Sequence, residues 1–429
     1  MRRREFFGAL AGAAVLATTG GGITRFARAI AGPARAIAGS ARGAAPGLAS
    51  AAAARAVPFL VPMDDAQAEP LRAYGIVYRA LARGGRADWL LNFRGGSFLV
   101  DDAGAFDEAL ARNVATEDAA SAAGSVEDAI ARGRTLPMRL EVAPTIGVYA
   151  PPYAAPWDDA VRLALEYAEI PYRTVWDREI LDGLAGIEWL HLHHEDFTGQ
   201  YGKYGAGVHA TDWYRRAVAL DRESAAALGY PHAPALKGAV ARAVRAYVEG
   251  GGFLFAMCAA TETLDVALAG SGDFDATLAF AGFHREPSPV GPFSTIDGHR
   301  VNTPERLPLD AVEVQGFAPE VDPVAAMLTQ NHTARIDDWY GLTTSFRPQA
   351  IKPDVVVLAS CAGGSLAKYL HGDRGQGTFT VLGGHDPEDA SHAVGDPPTD
   401  LRLHPRSPGY RLILNNVLFP AARNEERRT

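Results

Sequence analysis

The chain has 429 residues, with 41 lysines and arginines, 50 aspartates and glutamates, and two cysteines. This length accommodates one large domain and a smaller one. Residues 1–55 hold eight arginines and one glutamate, a net of +7, so the rest of the chain carries about −9 − 7 = −16. Such an acidic protein is a poor candidate for binding nucleic acid or an anionic membrane, and two cysteines exclude a disulfide framework.

The first segment has the pattern of an export signal. Arg3 and Arg4 precede one variable residue and two phenylalanines, which resembles the twin-arginine consensus. The Ala/Gly-rich stretch 8–18 is too short and too weakly apolar to span a membrane. We therefore predict a signal peptide and low-complexity linker over 1–56, export to the periplasm or another extracytoplasmic location, and no transmembrane span in the mature protein.

A small α/β unit is predicted over 57–143. Phe59–Val61 and Ala87–Phe93 have the length and composition of strands, and Asp64–Arg83 between them is a helical stretch. Ala105–Gly133 is alanine-rich, polar and helix-prone, which is typical of a surface insertion.

From Thr145 onward, strands and helices alternate. The predicted strands are Thr145–Tyr149, Tyr172–Trp176, Trp189–His193, Phe253–Met257, Ala325–Thr329, Val355–Leu358 and Gly377–Leu382, and the predicted helices are Trp157–Ile170, Leu236–Val248 and Tyr410–Leu418. The alternation predicts an α/β domain over 144–429, with a mainly parallel sheet and helices on both faces. His193, Cys258 and His385 then lie at the carboxyl ends of strands, where such sheets bind ligands.

Cys258 lies where a buried strand is predicted to turn directly into a helix. Small residues, Ala256 and Ala260, flank it at two positions on either side, as a tight nucleophile elbow requires. A cysteine at a helix start has its thiolate favoured by backbone N–H groups, so a depressed thiol pKa is expected. The alternatives are a buried, inert cysteine and a disulfide with Cys361.

This elbow and the late strand ending in Gly383–Glu388 resemble the class I glutamine amidotransferase-like fold, a flavodoxin-like arrangement, and its ThuA-like branch. Alanines replace the elbow glycines of that family, and one extra residue, Asp386, separates His385 from the following proline. The resemblance covers roughly 145–421. It implies Cys258 as nucleophile and His385 as its base, with Asp386 or Glu388 orienting the imidazole.

The whole chain also resembles a set of exported bacterial proteins labelled asparagine synthetase B, through Trp189–Tyr201 and Gly383–Asp400. A true ATP-dependent asparagine synthetase needs a cysteine at the second position and a Ser-Gly-Gly-x-Asp-Ser loop. Position two is Arg2, and no such loop is present. We therefore expect neither that reaction nor ATP as a cofactor.

The segment 191–196 is the densest cluster of metal-ligand residue types. Strand alternation places His191 and His193 on one face and His194 on the other. A His-x-His pair on a strand can chelate a divalent metal. The alternative is a hydrogen-bonded network without metal. The backbone N–H groups of 196–199 are a candidate oxyanion loop.

The candidate substrate-binding residues include polar and aromatic side chains of the loop that follows this cluster. They are His193, His194, Glu195, Gln200, Tyr201, Lys203 and His332. Three functions remain open for a small-molecule amide or carbohydrate ligand. The first is a cysteine-dependent hydrolase or amidase. The second is a ThuA-like carbohydrate-binding or metal-assisted protein, and the third is an inactive amidotransferase-like envelope protein.

Overall fold

A computed structural model describes most of the chain beyond the predicted signal and linker. The described residues are 58–156, 159–199, 210–269, 300–301, 312–314, 323–336, 339–340, 345–346, 348, 351, 355–361, 366–388 and 397–422. The chain divides into two compact units, with the main boundary between Ala143 and Pro144.

The first unit is an antiparallel sheet with three helices. Its elements are β1 (Phe59–Val61), α1 (Pro70–Ala82), β2 (Arg86–Leu91), β3 (Ser97–Asp101), α2 (Ala103–Ala111), β4 (Glu117–Asp118), α3 (Ala119–Ala131) and β5 (Leu136–Leu140). The strand order is β4-β1-β3-β2-β5. Trp89, Tyr74 and Phe98 are fully buried and pack edge-on or tilted against one another, forming the aromatic centre of this unit.

The sequence interpretation of this unit missed three strands, β3, β4 and β5. It also treated 105–133 as one helix-prone stretch, whereas two helices form there. The side chain of Asp102 accepts the N–H of Ala105, and that of Asp118 accepts the N–H of Ser121. Each aspartate therefore caps a separate helix start.

The second unit contains the large sheet. Its first elements are β6 (Ile146–Tyr149), α4 (Ala160–Ala168), β7 (Arg173–Val175), α5 (Asp177–Leu181), β8 (Trp189–Leu192), α6 (Asp212–Ala227), α7 (Ala233–Glu249), β9 (Phe253–Met257) and α8 (Ala260–Ala269). The elements that follow along the chain are β10 (Arg300–Val301), β11 (Val312–Val314), α9 (Pro323–Leu328), β12 (Arg335–Ile336), β13 (Trp339–Tyr340), β14 (Ser345–Phe346), β15 (Val356–Cys361), β16 (Ala367–Arg374), β17 (Gly377–Leu382), β18 (Asp386–Pro387) and α10 (Pro408–Leu418).

The sheet has a parallel part and an antiparallel extension. Strands β7-β6-β8-β9-β17 are all parallel to their neighbours. The strands that continue the order beyond β17, which are β16, β15, β11 and β12, pair antiparallel. The α/β fold class with a mainly parallel sheet is therefore confirmed for the part that follows Pro144, and antiparallel strands extend it on one side.

Helices cover both faces of the parallel strands because side chains alternate along each strand. Leu190 and Leu254 belong to a core cluster with the apolar residues of α7. On the opposite face, the Trp189 indole donates a hydrogen bond of 2.9 Å to the carbonyl of Asn416 in α10.

One strand prediction was wrong. Residues 325–329 were expected to form a strand, but Pro323–Leu328 is the helix α9. Its sequence, Pro-Val-Ala-Ala-Met-Leu, begins with a proline and contains alanine, methionine and leucine, which favours a helix start over a hydrogen-bonded strand.

Among the described helices, none is long and apolar enough to cross a membrane.

Candidate active site at the carboxyl edge of the parallel strands

Three neighbouring strands end beside one another, and the candidate site residues follow them directly. In the register, Leu192 of β8 pairs with Ala256 of β9, and Met257 of β9 pairs with Leu382 of β17. Since parallel strands end at one edge, the residues that follow them come together there. The structure thus brings together the histidines that follow β8, the cysteine that follows β9 and His385, which follows β17.

Cys258 occupies a sharp turn between β9 and α8. Its backbone has φ of 47°, a left-handed conformation that a residue other than glycine adopts at a cost. Its N–H donates to the carbonyl of Gly384 at 3.0 Å, and the Thr261 hydroxyl donates to its carbonyl at 2.7 Å. These bonds hold the strand–turn–helix connection in the form of an elbow.

The thiol of Cys258 is buried, and its electrostatic environment is the reverse of the predicted one. Burial is the main cause that raises its pKa to about 12, and the carboxylates of Asp386, Glu195 and Asp159 act in the same direction. The helix start does not compensate for the loss of water and for three nearby negative charges. The expected depression of the thiol pKa was therefore wrong.

Cys258 is a free cysteine. Cys361 lies on β15, and β16 and β17 stand between that strand and β9. Three strand spacings amount to roughly 14 Å, well beyond the reach of a disulfide.

His385 is oriented by its neighbour in sequence. Its Nδ1 lies 2.5 Å from Oδ2 of Asp386, which leaves Nε2 for another partner. Glu388, the other predicted orienting residue, instead has Oε2 at 3.5 Å from Nδ1 of His404. Asp386 therefore takes the orienting position that the sequence left open between two acids.

His193 and His194 both face His385. The ring of His193 meets that of His385 edge-on at 4.7 Å between centroids, and the ring of His194 is stacked on it at 5.7 Å. One ring nitrogen from each of the three histidines lies within 4.8 Å of the other two. The predicted separation of His193 and His194 onto opposite faces was wrong because β8 ends at Leu192, and strand alternation does not continue past it.

His191 and Asp159 contact His193, one of these three histidines. Nδ1 of His191 lies 2.9 Å from the carbonyl of Phe255, and its Nε2 lies 3.3 Å from Nδ1 of His193. Asp159 has Oδ2 at 3.4 Å from Nε2 of His191 and Oδ1 at 3.7 Å from Nδ1 of His193. With His191 and His193 it forms a second, fully buried group of potential metal ligands.

The protonation states of this layer follow from burial and its neighbours. Burial holds the pKa of His193 well below its usual value, so the imidazole is neutral at neutral pH. Burial alone would raise the pKa of Asp159, but the two imidazoles and backbone N–H donors lower it below its usual range. The sequence interpretation missed Asp159 as a site residue; its only signal was its place at the start of a helix.

Three polar atoms at this edge are buried and have no hydrogen-bond partner among the described residues. They are Nε2 of His193, Nδ1 of His194 and Oε2 of Glu195. Buried polar atoms are nearly always paired, so each orphan indicates a missing ligand, ion or water. The nitrogen of His194 that is not orphaned, Nε2, lies 3.7 Å from Oε1 of Glu195.

Other predicted residues lie elsewhere. Gln200, Tyr201 and Lys203 fall outside the described residues. His332 follows α9, and its Nδ1 lies 3.3 Å from Nη1 of Arg411 in α10.

The backbone of the proposed oxyanion loop is already engaged. Phe197 donates to Oγ1 of Thr263, Thr198 to Oδ1 of Asp196, and Gly199 to the carbonyl of Asp196. Those N–H groups are therefore not directed at a substrate in this conformation, contrary to the oxyanion-loop prediction.

A buried charged cluster that the sequence did not suggest joins side chains of β6, α5, α6 and α7. Lys237 is 1% exposed, and its Nζ lies 2.9 Å from Asp221, 3.0 Å from Asp177 and 2.8 Å from the hydroxyl of Tyr149. The same ammonium lies 4.2 Å from the ring centroid of Trp176. Its members come from four separate elements or loops, and no local sequence pattern connects them.

No protein-family model and no curated protein matches the sequence. Among solved structures, the chain is similar to a cytoplasmic protein of Salmonella typhimurium, with 14% identity, a TM-score of 0.33 and coverage of 66% of this chain and 100% of that one. A protein from Thermoplasma acidophilum that is described as part of a GMP synthase has 9% identity, a TM-score of 0.30 and coverage of 65% and 94%. A ThuA-like protein from Bacteroides uniformis has 14% identity, a TM-score of 0.29 and coverage of 63% and 92%. The chain thus has a distant structural similarity to amidotransferase-like and ThuA-like proteins, which carries nothing about its chemistry.

Proposed function

We propose that this protein is a metal-dependent hydrolase whose metal is bound by His193, His194 and His385. The observation that carries the proposal is the convergence of three imidazole nitrogens within 4.8 Å of one another, two of the imidazoles having a buried, partnerless nitrogen. Such nitrogens are costly to leave unpaired, and a bound cation would satisfy both together.

Each of the three imidazoles also has a carboxylate beside its other nitrogen. Asp386 lies at 2.5 Å from Nδ1 of His385, Asp159 at 3.7 Å from Nδ1 of His193, and Glu195 at 3.7 Å from Nε2 of His194. Metal-binding histidines characteristically hydrogen-bond a carboxylate, which fixes the ring and raises the basicity of the ligating nitrogen. Asp386 forms such a bond with His385, and the other two carboxylates lie within ion-pair distance of their histidines. Histidines that only pack in a core do not require a carboxylate beside each ring.

The donor set indicates the kind of metal. Three imidazole nitrogens suit zinc or another late first-row divalent ion rather than magnesium or calcium, which prefer oxygen. Three protein ligands leave a coordination position for water or substrate, which is typical of catalytic rather than structural zinc sites.

The chemistry then follows from the groups around the site. A divalent metal held there supplies polarisation of a substrate carbonyl and a lowered pKa for water. Glu195, whose Oε2 is buried without a partner, would accept the proton as the water oxygen bonds to the carbonyl carbon. That proton then passes to the leaving amine or alcohol as its bond to the carbonyl carbon breaks. An amide or ester is therefore the expected substrate class. A carbohydrate ligand agrees with this class if the sugar carries an amide or ester group.

Metal analysis of the mature protein purified under native conditions tests this proposal. We expect about one zinc-class ion per chain. Removal with a chelator should abolish hydrolysis across a panel of amides and esters, and adding zinc back should restore it. A protein that hydrolyses the panel equally well before and after complete removal of metal would refute the proposal.

A cysteine-dependent hydrolase is the second candidate, favoured by the left-handed backbone of Cys258 in the elbow. In that mechanism His385 takes the thiol proton and the thiolate forms an acyl-enzyme that water later hydrolyses. The same assays separate the two candidates through Cys258→Ala. Metal-dependent hydrolysis survives this change, whereas cysteine catalysis is lost, and only the cysteine route yields an acyl adduct on Cys258 by mass spectrometry.

We further propose that the protein acts outside the cytoplasm, because the twin-arginine route carries folded proteins with their cofactor already inserted. Replacing Arg3 and Arg4 together by lysine should leave most of the protein in the cytoplasm, whereas replacing Arg25 and Arg28 should not. The measurement is the share of protein in the periplasmic fraction. Equal export of both variants would show that the arginine pair is not an export signal.

A further inference from the structure

We propose that a cleft at the carboxyl ends of β6 and β7 binds an oxyanion group, a carboxylate or phosphate, of the substrate through Arg162. This inference rests on the proposed hydrolase function for its place in catalysis, while the binding itself can be measured without turnover. The cleft has a volume of about 480 Å³, large enough for part of a small molecule. It lies at the carboxyl ends of β6 and β7 and is lined by residues of the second unit.

Arg162 is the reason to expect an anion there. It lines the cleft and is 5% exposed. Its guanidinium donates from Nη1 to the carbonyls of Ala154 and Ala155, at 3.3 and 3.1 Å, and from Nε to the hydroxyl of Tyr172 at 3.4 Å. Among the described residues, no carboxylate lies within ion-pair distance of it. A buried guanidinium without a counter-charge is unfavourable, and an oxyanion is its natural bidentate partner.

The acids near the cleft are already engaged. Asp177 is paired with Lys237, and the carboxylate of Glu179 accepts the backbone N–H of Trp176 at 2.9 Å. Glu166, one turn beyond Arg162 on α4, accepts the Tyr172 hydroxyl at 2.9 Å. Since these carboxylates are held by other donors, they do not neutralise Arg162.

Trp176 provides an apolar wall for the rest of the ligand. Its ring is half-buried and stacked on Tyr149 at 4.5 Å between centroids, and its indole N–H donates to Oγ of Ser224 at 3.3 Å. The ring is thus fixed in place, and a fixed aromatic surface beside a charged group suits a ligand with one apolar and one anionic part.

Helix α4 connects the cleft to the histidines. Asp159 caps the helix by accepting the backbone N–H groups of Val161 and Arg162, and the same carboxylate contacts His191 and His193. Arg162 therefore lies about one helical turn, roughly 5 Å along the axis, from the residue that supports the proposed metal ligands. In the proposed complex, the anionic group of the substrate binds Arg162 and its carbonyl lies at the histidines.

Calorimetric titration of the native protein with inorganic phosphate and with glutarate tests the binding. We expect at least one of them to bind, with affinity reduced tenfold or more in Arg162→Gln and partly kept in Arg162→Lys, which retains the charge but not the planar fork. Arg173→Gln, which removes an exposed arginine of β7 outside the cleft lining, should leave the affinity unchanged. Phosphate binding without glutarate binding would assign a phosphate ester, and the reverse a carboxylate.

Hydrolysis of paired substrates, one with and one without the anionic group, connects the cleft to catalysis. In Arg162→Gln we expect the ratio of KM for the anionic member to KM for the neutral member to rise tenfold or more. Thermal melting of each variant identifies any that fail to fold, and Arg162→Lys then provides the test. Absence of anion binding in the native protein, or equal binding by a folded Arg162→Gln variant, would overturn the inference. Anion binding without any hydrolysis would leave the inference standing and count against the proposed function.

Discussion

Replacing His193 by alanine is expected to lower metal content to background and hydrolysis by about a thousandfold. The proposed site loses one of three ligands, and the stabilisation that a metal gives a transition state, several kcal/mol, corresponds to about three powers of ten in rate. The measurements are metal per chain after dialysis and kcat/KM on the best substrate.

Two further variants make this result specific. Asp386→Asn keeps all three ligands but weakens the orientation of His385, so a drop in metal affinity of about 10- to 100-fold is expected instead of its loss. His232→Asn removes an imidazole that caps α7, away from the three histidines in sequence, and asparagine preserves the cap, so both metal content and rate should be unchanged. If His193→Ala binds metal as tightly as His232→Asn, the three-histidine site is wrong.

Replacing Lys237 by methionine is expected to destabilise the protein by about 3–5 kcal/mol. The change leaves the carboxylates of Asp177 and Asp221 buried without the ammonium that lies within 3.0 Å of both. The pKa of Lys237 is raised: burial opposes the charge, but the two aspartates outweigh it. Because the pKa of Lys237 is higher in the folded than in the unfolded protein, its charge stabilises the fold fully at any pH below the unfolded pKa of about 10.4. The stability difference between the native protein and Lys237→Met should therefore be at its maximum at pH 7. It should decrease only as the pH rises through the folded pKa.

Urea denaturation of Lys237→Met and Arg215→Met measures this effect. Arg215 forms an exposed ion pair with Asp212 on α6, and such pairs contribute about 1 kcal/mol or less. A variant in which Asp177, Asp221 and Lys237 are all replaced by uncharged residues should recover part of the lost stability, since no unpaired charge remains. Equal unfolding free energies for the two single variants would show that the buried cluster contributes nothing.

The sequence predicted the strands that short runs of neighbouring residues are sufficient to identify. Phe253–Met257 is an apolar run after three glycines, and β9 has those bounds. Gly377–Leu382 has the length and the β-prone residues of a strand, and it forms β17. Because both strands are parallel, placing Cys258 and His385 at one edge required only the rule that parallel strands end together.

The missing parts depend on contacts between distant segments. Asp159 has the sequence pattern of a helix cap, and only the fold places it against His191 and His193. Lys237 stands mid-helix among apolar residues, where a sequence gives no sign of the two aspartates that pair with it. The raised thiol pKa of Cys258 has the same origin, since burial and carboxylates from three segments cause it.

The position of β17 in the chain determines when the site can be completed during biosynthesis. His385 reaches the other two histidines only after β17 has been translated and paired with β9, and pairing between segments so far apart in sequence is slow. A nascent chain thus has two of the three imidazoles well before the third. In the proposed export route the N-terminal signal is synthesised first, so a delay between synthesis and translocation would decide whether the protein leaves the cytoplasm with the proposed metal bound.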